Sequence, residues 1–288
     1  MNEKRLRAHC FTQIICIARI QRNKSRTPVV EQSMSTSQPI SAAESLLPAE
    51  NTALAPSRPI ASAAHTIGLL AFLTAWAYFG REWTNHMRAQ AAPNHMLLYL
   101  PTLAMEWSVF GYIVWGVRKR GISLRELVGP RWSKGKQNLV DFGIAACFEL
   151  AALIVLGAIA HLLHTESGSK SLMFMMPANA LELVVWLMLS LTAGICEETI
   201  FRGYFQRQFI GWTGSTVAGI VISAALFGAM HIYQGWKQTI VIGVFGAMFG
   251  ALAVMRRSLK PGMIAHSFQD SAAGVALMLA ARYGIVPK

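Results

Sequence analysis

The chain has 288 residues, of which 53% are hydrophobic and only 14% are charged. Soluble domains carry about 25% charged residues, so a water-soluble globule of this length would lack the charge to cover its surface. This deficit excludes an ordinary soluble enzyme and indicates that lipid covers much of the surface. The formal net charge of +12, from 26 Lys and Arg against 14 Asp and Glu, suits an anionic membrane surface or nucleic acid.

The first 60 residues differ in composition from the rest of the chain. A basic stretch comes first, and a run rich in Ser, Ala and Pro follows from position 29 to 60. Such a composition buries too little apolar surface to form a core, so a disordered tail is expected over residues 1–60. Met34 is an alternative start of translation, in which case residues 1–33 would not be translated.

From position 61 to 288 the chain divides into apolar runs long enough to cross a bilayer, separated by short polar connections. The sequence therefore predicts an all-α, multi-pass transmembrane helical bundle with about seven spans. Their approximate bounds are Ala61–Phe79, Met96–Val117, Leu139–Leu163, Ala180–Ile200, Thr213–Ile232, Gln238–Met255 and Gly262–Tyr283. Gly246 and Gly250 in the sixth run have the spacing of small residues at close helix contacts.

The basic residues are distributed unequally between the two sides of this predicted bundle. Counting by alternate sides places 20 Lys and Arg on the side of the N-terminal tail and 6 on the other side. Because basic loops stay in the cytosol, the N-terminus is predicted to be cytosolic and the C-terminus outside, in the plasma (inner) membrane. Topology thus explains most of the positive charge. No nucleic-acid partner is expected, since the sequence shows no recognisable binding module.

Ionisable residues within the predicted spans are costly in lipid and are therefore candidates for function. Glu106 and Glu149 have no companion motif, and we interpret them as packing or cavity-lining residues. The remaining candidates belong to short motifs in the later runs, and they are Glu197, Glu198, His231, His266 and Asp270.

The first motif is Glu197-Glu198-x-x-x-Arg202, at the end of the fourth run. On a helix, Glu198 and Arg202 share a face, whereas Glu197 points about 100° away from Glu198. This geometry lets Arg202 neutralise Glu198 and leaves Glu197 free to face a cavity.

Two histidine motifs follow in later runs, Phe227-x-x-x-His231 and His266-x-x-x-Asp270. In each motif the two side chains lie four residues apart and therefore on one helical face. Together with Glu197 they supply a base, two imidazoles and a second carboxyl group. Water activation needs a base to take the proton, and donors or a metal to hold the developing oxyanion. The set therefore predicts a hydrolytic site.

The three motifs, in this order, resemble those of the CPBP family, which contains the type II CAAX prenyl endopeptidases and relatives tied to bacteriocin processing and self-immunity. The resemblance covers about residues 180–275. It implies an intramembrane endopeptidase, a hydrolase that cleaves a membrane-associated peptide or protein in the lipid bilayer. The substrate stays open: a prenylated CaaX protein, a bacteriocin precursor or another small membrane protein.

The resemblance also implies roles for the motif residues. Glu197 matches the general base that activates the hydrolytic water, and His231 helps to bind or polarise that water. His266 and Asp270 match the pair that forms the oxyanion site. The implied catalytic set is Glu197, Glu198, His231, His266 and Asp270, supported by Arg202 and Phe227.

Asp270 departs from the family pattern, because the prenyl endopeptidases usually carry asparagine at this position. An ionised aspartate cannot donate a hydrogen bond to an oxyanion. Three explanations stay open: Asp270 is protonated, it orients His266, or it binds a metal ion. Since family members have been described both as metalloproteases and as glutamate-dependent proteases, a divalent metal such as zinc is a candidate cofactor. Its candidate ligands are His231, His266 and Asp270.

The lengths of the predicted helices set a condition on a shared site. At about 1.5 Å per residue, Glu197 and His231 would lie at different depths in the membrane if the fourth helix ended at Ile200. We therefore predict that this helix continues past Arg202 to about Phe209 and projects into the cytosol. A polar cavity open to the cytosol is also expected, because the site must admit water.

Two other functions stay open on the sequence alone. A transporter could use the same carboxylates and histidines to relay protons or bind a cation, although the chain shows no convincing internal repeat. A non-catalytic immunity or scaffold protein could keep the fold, although such a protein is expected to have lost motif residues.

Overall fold

A computed structural model of the protein describes residues 58–90, 93–130, 135–165 and 174–284, which lie in one compact unit, Asn51–Lys288. Within these ranges the chain forms helices and turns and no strand, which confirms the predicted all-α class. The predicted tail lies outside the described residues as far as position 57, and Met34 with it.

In the described part of the chain, eight helices follow one another. They are α1 (Ala63–Arg88), α2 (Met96–Arg118), α3 (Leu124–Val128), α4 (Gly135–Leu162), α5 (Ala180–Thr213), α6 (Thr216–Met230), α7 (Trp236–Arg256) and α8 (Lys260–Arg282). A 3₁₀ turn, Ile232–Gln234, joins α6 to α7.

Five of these helices, α1, α2, α4, α5 and α7, are long and apolar enough to cross a membrane. The other two predicted spans do not meet both conditions. The apolar α6 has 15 residues, which is short of the roughly 20 needed to cross the hydrocarbon layer. The 23-residue α8 is long enough but does not meet the hydropathy condition that the five meet. Five spans are therefore clear in the described part of the chain, which agrees with the predicted multi-pass bundle; the predicted number of about seven was approximate.

Side-chain caps determine where several helices begin. Ser62, Asn179 and Ser215 each precede a helix in extended backbone, and each side-chain oxygen accepts a hydrogen bond from the backbone N–H three residues later. Gly214 ends α5 with a φ of 68°, a left-handed conformation that glycine adopts without steric cost. The chain therefore leaves α5 and enters α6 within two residues.

The longest helix is α5, with 34 residues, and it contains a π-helical segment, Glu198–Gln206. At about 1.5 Å per residue it is about 50 Å long, which exceeds the roughly 30 Å of the hydrocarbon layer. It ends at Thr213 and so confirms the prediction that the fourth helix continues past Arg202 to about Phe209.

The second half of α5 is enclosed by protein, since every residue from 198 to 210 is buried. Its Gln208 side-chain oxygen accepts hydrogen bonds from the N–H groups of Ile60 and Ala61, at 2.8 and 3.0 Å. On another side, Arg207 donates to the carbonyl oxygen of Glu126 in α3 at 2.7 Å. The helix α5, which carries the Glu197-Glu198-x-x-x-Arg202 motif and is called the motif helix below, is thus held at the centre of the fold. Ile60, assigned from sequence to the end of the tail, packs against it.

Candidate active site

Glu198 lies at the centre of the polar cluster that the three motifs form. Its Oε1 accepts a hydrogen bond from Arg202 Nη1 at 2.9 Å and another from His266 Nδ1 at 3.1 Å. The side chains of Glu198 and Arg202 are each 1% exposed. The predicted pairing of Glu198 with Arg202 is therefore present, and His266 joins it from α8.

Arg202 is held by polar and aromatic groups at once. Besides its bond to Glu198, it donates from Nη2 to the carbonyl oxygen of Gly246 at 3.0 Å. Its guanidinium carbon lies 4.4 Å from the ring centroid of Phe227 and 5.0 Å from that of Phe249, which is cation–π geometry. These contacts fix the guanidinium and with it the Glu198 carboxylate.

His266 lies among three carboxylates. A carboxylate oxygen accepts and does not donate, so Nδ1 carries the hydrogen in the bond to Glu198. Nε2 lies 3.7 Å from Glu197 Oε2 and 3.7 Å from Asp270 Oδ2. The ring of Phe249 stacks on the imidazole with a centroid separation of 5.4 Å. The imidazole is therefore oriented with Nε2 between Glu197 and Asp270.

Glu197 points away from the Glu198–Arg202 pair, as the helical geometry predicted. Its side chain is 19% exposed, whereas that of Glu198 is 1% exposed. No donor among the described residues hydrogen-bonds to its carboxylate, because the 3.7 Å separation from His266 Nε2 is too long for a hydrogen bond. A polar separation of this length suits a bridging water. The carboxylate of Glu197 is thus available to accept a hydrogen from solvent or substrate.

His231 lies at the C-terminal end of α6, where the 3₁₀ turn begins. Its Nδ1 donates to the carbonyl oxygen of Phe227 at 2.8 Å, so Nδ1 carries the hydrogen and Nε2 is available as an acceptor. The ring of Phe227 lies 5.0 Å from the His231 ring and 6.1 Å from the His266 ring, between centroids. The sum of these two separations limits the distance between the imidazoles to about 11 Å. The structure therefore brings all three motifs into one region.

Two glycines allow α5 and α8 to approach closely beside this cluster. A Cβ at Gly194 would lie 2.1 Å from Ser267 Oγ and 2.8 Å from the carbonyl oxygen of Met263. A Cβ at Gly274 would lie 2.2 Å from Nε1 of Trp186, whose N–H donates to the Asp270 carbonyl oxygen at 2.8 Å. These close contacts set the position of α8, and with it His266 and Asp270, against α5.

Glu106 and Glu149, which the sequence assigned to packing or cavity lining, also lie near the cluster. Glu106 of α2 is 2% exposed and lies within electrostatic range of Glu197 and Asp270. Glu149 of α4 lies within electrostatic range of His266 and Asp270. One carboxyl oxygen of each is buried without a hydrogen-bond partner among the described residues. In the sequence, the signal that could have identified both positions as functional was an acidic residue inside a predicted span.

A metal ion does not fit the donors that the structure provides. Across the described ranges, no three His, Cys, Asp or Glu side chains are arranged so that they could hold a metal ion. The candidate ligands were His231, His266 and Asp270. The ring of Phe227 lies near both histidines, 5.0 Å from the His231 ring and 6.1 Å from the His266 ring between centroids. In the part of the chain that the structure describes, His231, His266 and Asp270 are therefore not arranged as the ligands of a zinc ion.

Comparison with known protein families supports the sequence-based resemblance. Residues 178–272 match the model of the Rce1-like family, which is described as type II CAAX prenyl endopeptidase Rce1-like. No curated protein and no solved structure matches the chain. The matched residues contain all three motifs and nearly coincide with the expected region, residues 180–275. With its five apolar helices, the chain is thus an integral membrane protein, and its segment 178–272 is similar to the Rce1-like family of type II CAAX prenyl endopeptidases.

Proposed function

We propose that the protein is an intramembrane endopeptidase that hydrolyses a peptide bond of a membrane-associated peptide or protein through glutamate-activated water. The contrast between two neighbouring glutamates carries this proposal. Glu198 is buried and engaged by Arg202 and His266, whereas Glu197 is partly exposed and accepts no hydrogen bond from the described residues. An available carboxylate beside a fixed ion pair is suited to act as a general base.

In the proposed reaction, Glu197 removes a proton from a water molecule while the water oxygen attacks the carbonyl carbon of the peptide. The carbonyl oxygen becomes the oxyanion of a tetrahedral intermediate. Glu197 then gives the proton to the amide nitrogen as the C–N bond breaks. The products are a carboxylic acid and an amine, and the Glu197 carboxylate is restored.

We assign His231 to the attacking water and His266 to the oxygen of the reacting carbonyl group. His231 offers Nε2 as an acceptor for the second hydrogen of the water, because its Nδ1 hydrogen is bonded to Phe227. His266 presents Nε2 toward Glu197 and Asp270, where it can donate to the oxyanion when it carries a hydrogen. Glu198 is buried too deeply to touch a substrate, so its proposed role is to position His266.

The decisive test is Glu197→Gln in the full-length protein, assayed with membrane peptides and with prenylated CaaX peptides. The matched control is Glu82→Gln, on an exposed position of α1. We expect the control to cleave like the wild type and Glu197→Gln to lose about 10²-fold or more in kcat, as removal of a general base does. Wild-type cleavage by Glu197→Gln would contradict the mechanism.

A second test concerns His231, which lies at the end of α6. We expect His231→Ala to lower kcat by about 10²-fold, because the water loses an acceptor that orients it. His161→Ala, at an exposed position near the end of α4, is the matched control. A chelator added to the same assay tests whether cleavage needs a divalent metal.

We also propose that the basic end of the bundle faces the cytosol, in the plasma (inner) membrane. The proposal is supported by the 20 Lys and Arg on the side of the N-terminal tail, against 6 on the other side. In this orientation the C-terminal part of α5 extends toward the cytosol, because Arg207 contacts α3, which lies in the basic segment between α2 and α4.

A further inference from the structure

When Asp270 is ionised, it leaves the proposed site short of a hydrogen-bond donor. An oxyanion is stabilised by donors that are held in place before the reaction, and an ionised carboxylate offers none. Where the prenyl endopeptidases usually carry asparagine, an amide N–H is available instead. His266 Nε2 can supply one donor, so a second donor is expected on a neighbouring element.

Tyr233 lies next to the cluster, in the 3₁₀ turn two residues after His231. Its ring centroid is 5.9 Å from that of His231. The carboxylates of Glu197, Asp270 and Glu106 all act electrostatically on its phenol group. The side chain of Tyr233 therefore lies beside His231 and within electrostatic range of the proposed base.

The hydroxyl of Tyr233 has its hydrogen available. Its oxygen accepts a hydrogen bond from Gln234 Nε2 at 3.1 Å, and in the described part of the chain no acceptor is bonded to its O–H. A phenol can donate one hydrogen bond while it accepts another. The bond from Gln234 therefore holds the oxygen in place and leaves the hydrogen to be donated.

The backbone of this turn is held at both ends. The carbonyl oxygen of Tyr233 accepts a hydrogen bond from Arg88 Nη2 of α1 at 3.4 Å. The N–H of Gln234 donates to the carbonyl oxygen of His231 at 2.9 Å. A donor on a fixed turn needs little reorganisation when negative charge develops beside it.

We propose that Tyr233 is a further catalytic residue, whose phenolic O–H donates a hydrogen bond to the oxyanion. It supplies the donor that an asparagine amide would give at position 270. The proton stays on the tyrosine throughout, so the balance of the hydrolysis is unchanged. This inference rests on the proposed endopeptidase function.

The first test compares Tyr233→Phe with Tyr78→Phe, a tyrosine on the exposed surface of α1. We expect Tyr233→Phe to lower kcat by about 10²–10³-fold with little change in KM, which is the usual effect of removing one oxyanion donor. We expect Tyr78→Phe to match the wild type. A wild-type kcat for Tyr233→Phe would overturn the inference while the proposed function stands.

The second test repeats the substitution in an Asp270→Asn background. There the amide can donate to the oxyanion, so Tyr233→Phe should lower kcat by less than about tenfold, a non-additive result. An equal loss in both backgrounds would indicate a purely structural role for Tyr233 and would overturn the inference. Absence of cleavage by the wild-type protein would instead overturn the proposed function itself, and the inference with it.

Discussion

Arg202 donates a hydrogen bond to the backbone carbonyl oxygen of Gly246 at 3.0 Å, and four residues later Gln206 donates to Gly250 in the same way, at 3.1 Å. The two donors lie in the π-helical segment of α5, and the two glycines lie on α7. The spacing of small residues that indicated close helix packing therefore has a second consequence. It exposes two backbone carbonyl groups to the side chains of the motif helix.

Gly246→Ala is expected to destabilise the protein and slow cleavage. The added Cβ would lie 2.9 Å from Phe227 Cδ1 and 3.3 Å from Arg202 Nη2, so the ring, the guanidinium or α7 must shift. Overpacking of this kind costs about 1–3 kcal/mol, which thermal unfolding in detergent will measure. Gly157→Ala in α4 is the control, since its Cβ would meet nothing within 4 Å. Equal unfolding temperatures for the two variants would contradict the prediction.

Arg202→Met is expected to leave Glu198 as an uncompensated buried charge. Removing one partner of a buried ion pair costs about 3–5 kcal/mol, because the remaining charge has lost both water and its counter-ion. Adding Glu198→Gln to Arg202→Met removes that charge and should recover part of the loss. The free energies of unfolding of the two single variants and the double variant, in a double-mutant cycle, measure the coupling. Strict additivity would show that the pair is not coupled.

Replacement by glutamine is expected to lower the unfolding temperature at Glu198, and to abolish cleavage without lowering the unfolding temperature at Glu197. Glu198→Gln removes the charge that Arg202 and His266 share, so unfolding should occur at a lower temperature. Glu197→Gln removes no hydrogen bond with the described residues, so its unfolding temperature should stay near that of the wild type while cleavage is lost. Thermal unfolding and cleavage rates, measured side by side, test this contrast. Equal destabilisation by both variants would contradict the geometry of the cluster.

Much of this site could be predicted from motif spacing. The four-residue interval from Glu198 to Arg202 indicated the ion pair that the structure contains. The requirement that Glu197 and His231 share one site indicated that the fourth helix continues beyond Arg202, and it does. Both predictions depend on the repeat of a helix, which is local in sequence.

Other features could not be predicted because they depend on contacts between distant parts of the chain. The bond from His266 to Glu198 joins positions 68 residues apart, and no local pattern gives the rotation of α8 against α5. The π-helical segment was also missed, since its hydrogen-bond register responds to packing as well as to sequence. The short α6 begins only at Thr216 because Gly214 and Ser215 end one helix and cap the next, whereas hydropathy alone placed the boundary at Thr213.

Tyr204→Phe is expected to affect stability without a specific effect on catalysis. The hydroxyl of Tyr204 is buried and forms hydrogen bonds with His65 Nδ1 at 2.7 Å and Thr66 Oγ1 at 2.9 Å, which join α5 to α1. Its removal leaves two buried polar groups without this partner, at a cost of about 1–3 kcal/mol. At a temperature where the variant is folded, its kcat should match that of the wild type, unlike that of Tyr233→Phe. A kcat loss without a change in unfolding temperature would contradict this structural role.

The proposed orientation can be tested with single cysteines at the two ends of the bundle. After replacement of the four native cysteines by serine, Lys119→Cys lies at the end of α2 on the basic side, and Gln90→Cys lies just beyond the opposite end of α1. Both positions are exposed. Because basic loops are retained in the cytosol, a membrane-impermeant maleimide applied to intact cells should label Gln90→Cys and not Lys119→Cys. Permeabilised cells should label both, which controls for reactivity. Labelling of Lys119→Cys alone in intact cells would invert the orientation, and would place the end of the motif helix that contacts α3 outside the cell.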